Sequence, residues 1–401
     1  MLYTIVPVLP MQVCLFWSVV LFLEIISKRR DHARFWLFFF MCTATLLYLG
    51  HAAYFNHCKT GITIYDTMYV TCNLAVFPLY YEYVRALTKT SRSFPQLHHL
   101  WLLPPLLGGI TVGALYLLMN DSQIEMFVDS YLYGNHTVWN SGLVTCQSVV
   151  HNILKIWFAL QIFPLLGIEL RIIRLFNRQL DLFYSDTEQR SLTSIAILLR
   201  LLVLTSIISL GFSIVGRSRF LESSWELMVP SLLFSALLFA IGYLGTHRTF
   251  TIDDIPSVEV SEENDMTEDA TFIAETSTEQ NNKNTVKFEE LAMRITSLMK
   301  ENKVYLQPDL NLMDLAQMLN TNQKYVYIAF SKVLETKFSE YVNRQRIDHA
   351  SHILQDNPNL KLNEVALMSG YTSSATFYRN FKQFLGCSPK EFLEKSKGQA
   401  T

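Results

Sequence analysis

A repeated pattern in the last third of the chain constrains its fold more than any other feature. Five residues between Leu312 and Met318 recur fifty positions later, between Leu362 and Met368, with the same apolar and acidic positions. After one inserted residue the repeat continues, so that Val326, Phe330 and Tyr341 return as Phe377, Phe381 and Phe392. A repeat of this kind means that one supersecondary unit is used twice.

Each copy of the repeat is typical of two helices joined by a tight turn. Asn320 interrupts the first copy and Gly370 the second, and both residue types tolerate the left-handed backbone of such a turn. The pattern predicts one helix-turn-helix over about 310–336 and another over about 360–387, joined by a helix over about 338–354.

The second helix of each copy has one face that is free of core residues. Apolar residues at i, i+4 and i+8 cover the other face, so the polar face can enter a DNA major groove. The side chains predicted to contact DNA are Asn322, Gln323, Lys324, Tyr327 and Ser331 in copy one, and Ser373, Ser374, Tyr378, Arg379 and Lys382 in copy two. Gln can pair with adenine and Arg with guanine, whereas Lys and hydroxyl groups reach bases or phosphates. Arg346 on the joining helix either contacts phosphate as well or forms a structural ion pair.

About the last 110 residues resemble the DNA-binding domain of the AraC/XylS family. The pattern GYxSxxxFYRxFKxxxGxSPxxF, from Gly370 through Phe392, is nearly complete. The resemblance implies bacterial transcription regulation, often activation, through two helix-turn-helix units. It also implies a homodimer on double-stranded DNA that works with RNA polymerase. The rest of the chain does not resemble the soluble sugar-binding domain usual in that family, but looks like its less common membrane-anchored members.

Copy one departs from this pattern at two positions. Ile328 stands where copy two has Arg379, and Glu335 stands where copy two has Gly386. An apolar residue in place of a groove-facing arginine forfeits about 1–3 kcal/mol of discrimination between bases. We therefore expect copy two to carry more of the specificity, unless copy one reads thymine methyl groups through Ile328 and Tyr327.

The first 245 residues have a different character. Half of the whole chain is hydrophobic and only 17% is charged, against about 25% charged in a soluble domain, and the apolar residues pool before Gly245. A membrane span needs about 20 apolar residues. Seven candidate spans lie at about 4–27, 35–54, 65–87, 99–119, 147–169, 195–215 and 227–245. The predicted fold class is all-α: a seven-helix transmembrane bundle in the lipid bilayer (1–246), an acidic flexible linker (247–283) and a cytoplasmic double helix-turn-helix domain (284–401).

Basic residues between the spans predict the orientation. They concentrate in the first, third and fifth loops, as Lys28, Arg29, Arg30, Arg34, Arg85, Lys89, Arg92, Arg171, Arg174, Arg178 and Arg190. The excess of positive charge in cytoplasmic loops places these loops inside a bacterial inner membrane, with the N-terminus outside. The repeat then lies in the cytoplasm with the DNA. No basic residue lies among the first ten, so we expect a first span there rather than a secretory signal.

One predicted span carries a polar stripe. Gln147, His151 and Lys155 follow each other at i, i+4 and i+8 on one helix face. Because an ionisable residue inside a span is a functional hypothesis by default, these three are predicted to sense a small-molecule or envelope signal, such as an anionic ligand. The alternatives for Lys155 are an ion pair with Glu24 or Glu82, or a side chain that reaches the interface.

Two stretches outside the spans are acidic. The predicted outer loop over about 120–142 is acidic and aromatic, and is either a ligand mouth or an interfacial aromatic loop. Residues 249–282 hold ten carboxylates and no Lys or Arg, a composition typical of a flexible tether. That tether either competes with DNA for the basic residues of the double helix-turn-helix domain or is only a spacer.

No residue pattern indicates an enzyme, a cofactor or a metal site. HExxH, GxSxG and phosphate-loop patterns are absent from the sequence, and the six cysteines lack metal-ligand spacing. Cys58 and Cys146 both fall near the predicted outer face, where they form either a disulfide or ordinary packing contacts.

Three functions fit this sequence. The first is a membrane-bound transcription regulator that couples a signal to gene expression. The second is a transporter or membrane enzyme with an autoregulatory DNA-binding domain, which intramembrane acid–base pairs would favour. The third is a passive membrane anchor for a constitutive regulator.

Overall fold

A computed structural model describes most of the chain. The described residues are 6–27, 31–88, 96–134, 137, 139, 142–185, 192–215, 224–247 and 278–398. In these ranges the regular structure is helical, and extended pairing is limited to one isolated bridge between Tyr184 and Asn311. The predicted all-α class is confirmed for this part of the protein.

The chain divides into two compact units. The apolar unit comprises Met1–Arg174 and Leu192–Ile252, and the helix-turn-helix unit comprises Leu175–Ser191 and Asp253–Thr401. The second unit thus includes a short segment that precedes the linker by about 70 residues, which the sequence did not predict.

Eight helices are described before the linker. They are α1 (Leu9–Ser27), α2 (His32–Phe55), α3 (Ile62–Thr88), α4 (Leu103–Leu118), α5 (Asp121–Phe127), α6 (Gly142–Phe183), α7 (Thr193–Val215) and α8 (Ser224–Thr246). Helix α1 packs against α2 and α8, α2 lies along α3, α4 packs on α3, and α7 contacts α8. Glycines permit some of these close approaches, since a Cβ atom at Gly109 would overlap Thr71 and one at Gly242 would overlap Trp17.

Five stretches of the described residues are long and apolar enough to cross a membrane. They are Val6–Ser27, His32–Phe55, His99–Leu118, Gly142–Arg178 and Met228–Thr246. The predicted span at 65–87 is helical, but α3 carries Asp66, Glu82 and Arg85. The predicted span at 195–215 lies in α7, where the apolar stretch Thr193–Ile208 is shorter. Seven helices therefore stand at the predicted places, while a count of seven spans remains a prediction.

Large apolar side chains lie on the outside of the apolar unit. Leu15 and Ile26 of α1 are at least half exposed, and Leu117 of α4 is 89% exposed. Exposed apolar surface on several helices marks contact with lipid or with another apolar partner. This distribution is consistent with the predicted bilayer.

Much of the predicted outer loop is helical. Helix α5 begins at a capping box in which Asn120 and Gln123 satisfy each other's backbone N–H groups. It continues as a π-helical turn over Val128–Tyr133. Tyr131 is buried and Tyr133 stacks on Tyr54. The connection over 120–142 thus contains helix at 121–133, and its place on the outer face remains a prediction.

In the helix-turn-helix unit, seven further α-helices lie within the described residues. They are α9 (Thr278–Asn302), α10 (Leu312–Met318), α11 (Gln323–Ile328), α12 (Phe338–Asp356), α13 (Leu362–Met368), α14 (Ser374–Leu385) and α15 (Pro389–Gly398). The predicted copies and joining helix are present at the predicted places. Helix α9 begins inside the predicted linker, so residues 278–283 are helical rather than a flexible tether. Most of that linker, 248–277, lies outside the described residues.

The joining helix α12 forms the core of copy two. Ile347, Ala350 and Leu354 of α12 pack with Phe377 and Phe381 of α14, and all five are fully buried. Burial of such side chains stabilises a fold by about 1.5–3 kcal/mol each. Leu385, the third apolar position of α14, is 36% exposed, so its predicted place in the core is wrong.

Candidate nucleic-acid interface and buried polar cluster

The second helix of copy one starts at a side-chain cap. The Oδ1 atom of Asn322 accepts a hydrogen bond from the backbone N–H of Lys324 at 2.9 Å. The helix is α-helical to Ile328 and then widens into a π-helical turn over Ala329–Val333. The predicted helix over 322–334 is therefore present, but its last turn is wider than a regular helix.

The second helix of copy two is regular over its whole length. Helix α14 ends where the N–H of Gly386 donates to the carbonyl of Lys382 at 3.0 Å, with Gly386 in the left-handed region at φ 72°. Copy one places Glu335 at the matching point with φ 48°. Left-handed backbone costs a non-glycine residue about 1–2 kcal/mol, so copy one is the strained version of this helix end.

Most of the side chains predicted to contact DNA face solvent. The exposed ones are Asn322, Lys324, Ser331, Tyr378, Arg379 and Lys382, and the half-buried ones are Gln323, Tyr327, Ser373 and Ser374. Two of them have local partners, because Asn322 caps α11 and the hydroxyl of Ser374 donates to Asn363 Oδ1 at 3.0 Å. Each copy thus presents a polar face that can enter a major groove, and base contact by these residues remains a prediction.

Arg346 does not belong to that face. Its side chain is fully buried, and its guanidinium donates to the carbonyls of Tyr305 at 2.6 Å, Gln307 at 2.7 Å and Pro308 at 3.2 Å. The prediction that Arg346 contacts phosphate is wrong, because a buried guanidinium satisfied by backbone carbonyls cannot reach DNA. Its role is to fix the chain that leads into copy one.

A polar groove of about 280 Å³ lies between the start of α12 and helix α14. Its lining residues are Ser185, Lys337, Ser339, Glu340, Asn343, Thr376, Arg379, Asn380, Gln383 and Phe384. Lys337 and Arg379 bring two cations to its walls, and the first turn of α12 adds backbone N–H groups of a helix N-terminus. The groove thus extends the predicted DNA-reading face of copy two toward copy one.

The predicted sensing residues lie in a buried polar cluster of the apolar unit. His151 Nε2 lies 2.9 Å from Asp66 Oδ2, and the hydroxyl of Tyr116 donates to the same oxygen at 2.8 Å. Gln147 is fully buried, and its amide nitrogen donates to the carbonyl of Val112 at 3.4 Å. Helices α3, α4 and α6 therefore meet at one carboxylate inside an apolar unit.

Both ring nitrogens of His151 face oxygen atoms. Nδ1 lies 2.9 Å from the backbone carbonyl of Gln147, and Nε2 lies 2.9 Å from Asp66 Oδ2. The imidazole therefore contacts its own helix on one side and the carboxylate of α3 on the other.

Lys155 lies at the edge of the same cluster. It is half-buried, and its Nζ atom lies 4.8 Å from the centre of the Tyr131 ring. The Tyr131 hydroxyl donates to Asn152 Oδ1 at 2.7 Å. The predicted stripe therefore divides into two buried residues and one half-buried cation.

Sequence reasoning missed Asp66 and Tyr116. The available signal was the ionisable Asp66 inside an otherwise apolar segment. Its pairing with His151 joins residues 85 positions apart, and no local pattern predicts that choice. The two cysteines considered for a disulfide, Cys58 and Cys146, are exposed and free.

Comparison with known proteins identifies the carboxyl-terminal domain. Residues 315–395 match a family described as a helix-turn-helix domain. The melibiose operon regulatory protein of Escherichia coli K12 is 30% identical over 87 residues, which are 22% of this chain and 28% of that protein. The Msm operon regulatory protein of Streptococcus mutans is 31% identical over 86 residues, 21% of this chain and 31% of that protein. The domain is thus of the AraC type and supports a DNA-binding transcription regulator.

The matches leave the rest of the molecule unassigned. A helix-turn-helix-type transcriptional regulator of Staphylococcus aureus MSSA476, itself uncharacterised, is 28% identical over 90 residues, which are 22% of this chain and 12% of that protein. The chain spans less than a third of the length of these curated relatives. No solved structure matches it significantly.

Proposed function

We propose that this protein is a membrane-bound, sequence-specific transcription regulator. The observation that carries the proposal is one chain that joins an AraC-type helix-turn-helix domain at 315–395 to five helices apolar enough to cross a membrane. The polar faces of α11 and α14 face solvent in the described structure, as DNA contact requires. Signals in or outside the membrane then control genes without a separate messenger protein.

The proposed orientation follows from charge. Basic residues in the odd loops place the helix-turn-helix unit in the cytoplasm of a bacterium, with the N-terminus outside the inner membrane. Family resemblance adds a homodimer and contact with RNA polymerase. Two copies held in one membrane plane have a raised effective concentration, which strengthens binding to paired sites on DNA.

Expression profiling tests the proposal in cells. We expect a deletion strain and an Arg379→Ala strain to change the same group of transcripts, because both lose DNA reading. Lys390→Ala, a change of an exposed cation beyond the predicted recognition helix, serves as the matched control. Normal transcripts in both the deletion and the Arg379→Ala strain would contradict a role in regulation.

The signal is proposed to act on the buried polar cluster. Asp66, His151 and Tyr116 join three helices at one carboxylate, so a ligand that binds there alters how these helices meet. Asp66→Asn and Lys155→Met should change the response of target genes to external conditions. A response unchanged in both variants would exclude the cluster as the sensor.

The same cluster supports a second candidate, a transporter with an autoregulatory DNA-binding domain. Its basis is the pair of ionisable residues Asp66 and His151 inside the apolar unit, since such groups within membrane segments mark proton relays and substrate paths. The two candidates differ in what Asp66→Asn abolishes. A sensor variant loses the transcriptional response alone, whereas a transporter variant also loses uptake or efflux of a solute across right-side-out vesicles.

A further inference from the structure

Two residues from the region between α6 and α7 are part of the helix-turn-helix unit. Tyr184 and Ser185 follow directly after the end of α6 at Phe183, and they are only 4% and 3% exposed. We call residues 184–185 the strap. They precede the first helix of the helix-turn-helix unit by more than 90 residues, yet they fold into it.

The strap is held by backbone and side-chain hydrogen bonds at the start of copy one. Tyr184 forms an antiparallel bridge with Asn311, the residue that caps α10. The backbone N–H of Ser185 donates to the carbonyl of Leu310 at 3.3 Å, and its hydroxyl donates to the same oxygen at 2.7 Å. The strap therefore binds main-chain groups at the start of copy one.

The strap is also held by the joining helix. The side-chain amide of Asn343 donates to the carbonyl of Ser185 at 2.8 Å, and Arg346 donates to its hydroxyl at 3.2 Å. The N–H, the carbonyl and the hydroxyl of Ser185 are thus all satisfied by the helix-turn-helix unit. The strap is therefore specifically bound to the helix-turn-helix unit.

The docked strap borders the DNA-reading face. Ser185 lines the polar groove together with Lys337 and Arg379. Arg379 is the residue of copy two predicted to pair with guanine, and a DNA phosphate beside it needs the same cations and helix N-terminus. A DNA backbone that entered the groove would therefore lie directly against the strap.

We propose that the strap is an intramolecular inhibitor. While it is docked, the protein binds DNA weakly, and its release raises the affinity for DNA. The inference rests on the proposed function, because it assumes that α14 reads DNA. The strap comes directly after α6 in the chain. Release leaves the unit folded, because Arg346 keeps the carbonyls of Tyr305, Gln307 and Pro308 as acceptors.

A disulfide that locks the strap tests the inference. Residues opposite each other in an antiparallel bridge have Cα atoms about 4.5–5.5 Å apart, within the range that a disulfide spans. Tyr184→Cys and Asn311→Cys are combined in a Cys387→Ser background, and the full-length protein is purified in detergent. Binding of fluorescent 30-base-pair duplexes of random sequence is measured at low salt, before and after reduction, with Asn311→Cys alone as the control.

The oxidised double variant should bind these duplexes at least about tenfold more weakly than its reduced form, while the control is unaffected by reduction. Equal or tighter binding by the oxidised form would overturn inhibition by the strap. Failure of the disulfide to form would show that the strap is not docked, which also overturns the inference. Absence of DNA binding by the wild-type chain would instead overturn the proposed function, so the two failures are distinct.

A release variant gives the opposite readout. Ser185→Pro removes the N–H that bonds Leu310 and the hydroxyl that bonds Arg346, and should tighten duplex binding about threefold. Ser351→Ala is the matched control, since its hydroxyl bonds only the carbonyl of Asp348 in its own helix. Weaker binding by a folded Ser185→Pro protein would mean that the strap supports DNA reading, contrary to the proposal.

Discussion

The two helix-turn-helix copies have the same order of helices but differ in how the second helix is built. Copy two has one regular twelve-residue helix that ends at a left-handed glycine, and it carries Arg379. Copy one has six α-helical residues, a π-helical turn and a left-handed Glu335, with Ile328 in place of the arginine. The repeat therefore keeps the order of helices while the second helix is regular in copy two and distorted in copy one.

The turns of the two copies also differ, because the turn of copy two requires glycine more strictly. Asn320 in copy one and Gly370 in copy two both have positive φ, at 51° and 81°. A Cβ atom at Gly370 would lie 2.7 Å from the carbonyl oxygen of Leu306, just before copy one. The turn of copy two therefore packs on backbone that leads into copy one, and only glycine fits there.

The largest effect is expected at that turn. In Gly370→Ala a non-glycine residue must adopt left-handed backbone, and its Cβ atom overlaps the backbone of Leu306. The change should destabilise copy two by about 3 kcal/mol. Asn320→Ala, the matched change in copy one, should cost about 1 kcal/mol because only the strain applies. Hydrogen–deuterium exchange of the full-length protein should show roughly 100-fold faster exchange in α13 and α14 for Gly370→Ala. Equal effects of the two changes would remove the proposed difference between the turns.

DNA affinity gives the next largest contrast. Arg379→Ala should weaken specific binding by about 2 kcal/mol and relax selectivity at one base pair, because a bidentate contact to guanine is lost. Lys324→Ala in copy one should weaken binding to all DNA sequences alike. The slope of log affinity against log salt concentration should fall by about 1, as expected for one lost phosphate contact. Fluorescence titration at two salt concentrations separates these results. The reverse order of the two losses would make copy one the specific reader.

The ends of the second helices should respond in opposite senses. Glu335→Gly removes the strain at φ 48° and should stabilise copy one by about 0.5–1 kcal/mol. Gly386→Ala should destabilise copy two by about 1 kcal/mol, and by strain alone, since its Cβ would meet no atom within 4 Å. Hydrogen–deuterium exchange of the full-length protein, measured separately for the helices of each copy, reports both changes in stability. A destabilising Glu335→Gly would mean that the carboxylate has a partner that matters more than the strain.

The smallest contrast is a pH effect at α15. The backbone N–H of Ser388 donates a hydrogen bond to the Glu391 carboxylate, and the Ser388 side chain also hydrogen-bonds Glu391. Both interactions lower the pKa of Glu391 below its ordinary value. A lowered carboxyl pKa stabilises the folded state above the unfolded-state value of about 4.3, and this is lost as pH falls through the lower folded value. Glu391→Gln should remove that part of the acid response of α15. Copy one has Lys337 at the position of Ser388 and no side-chain cap. Hydrogen–deuterium exchange in α15 as the pH falls measures the effect, and an unchanged acid response in Glu391→Gln would contradict it.

Local patterns predicted the helices and the two copies because their core residues recur at helical spacing. Val326, Phe330, Phe377 and Phe381 are buried as their periodicity required. The widened turn after Ile328 was not predictable, since apolar spacing alone does not distinguish one π turn from a regular helix. Exposure of the polar faces followed from the same periodicity.

The long-range contacts were not predictable from local patterns. The strap, the burial of Arg346 and the Asp66–His151 pair each join residues that are far apart in the sequence. Arg346 shows why charge alone misleads, because a guanidinium satisfied by backbone carbonyls is stable in a core. Tertiary packing, rather than residue type, decided its role.

We propose that a membrane-bound chain reads DNA mainly through copy two. The first measurement is genome-wide capture of DNA bound to full-length tagged protein in isolated membranes, with an Arg379→Ala strain alongside. We expect discrete sites that disappear in the variant. No enrichment from membranes shown to contain the protein, or sites that persist in Arg379→Ala, would contradict it.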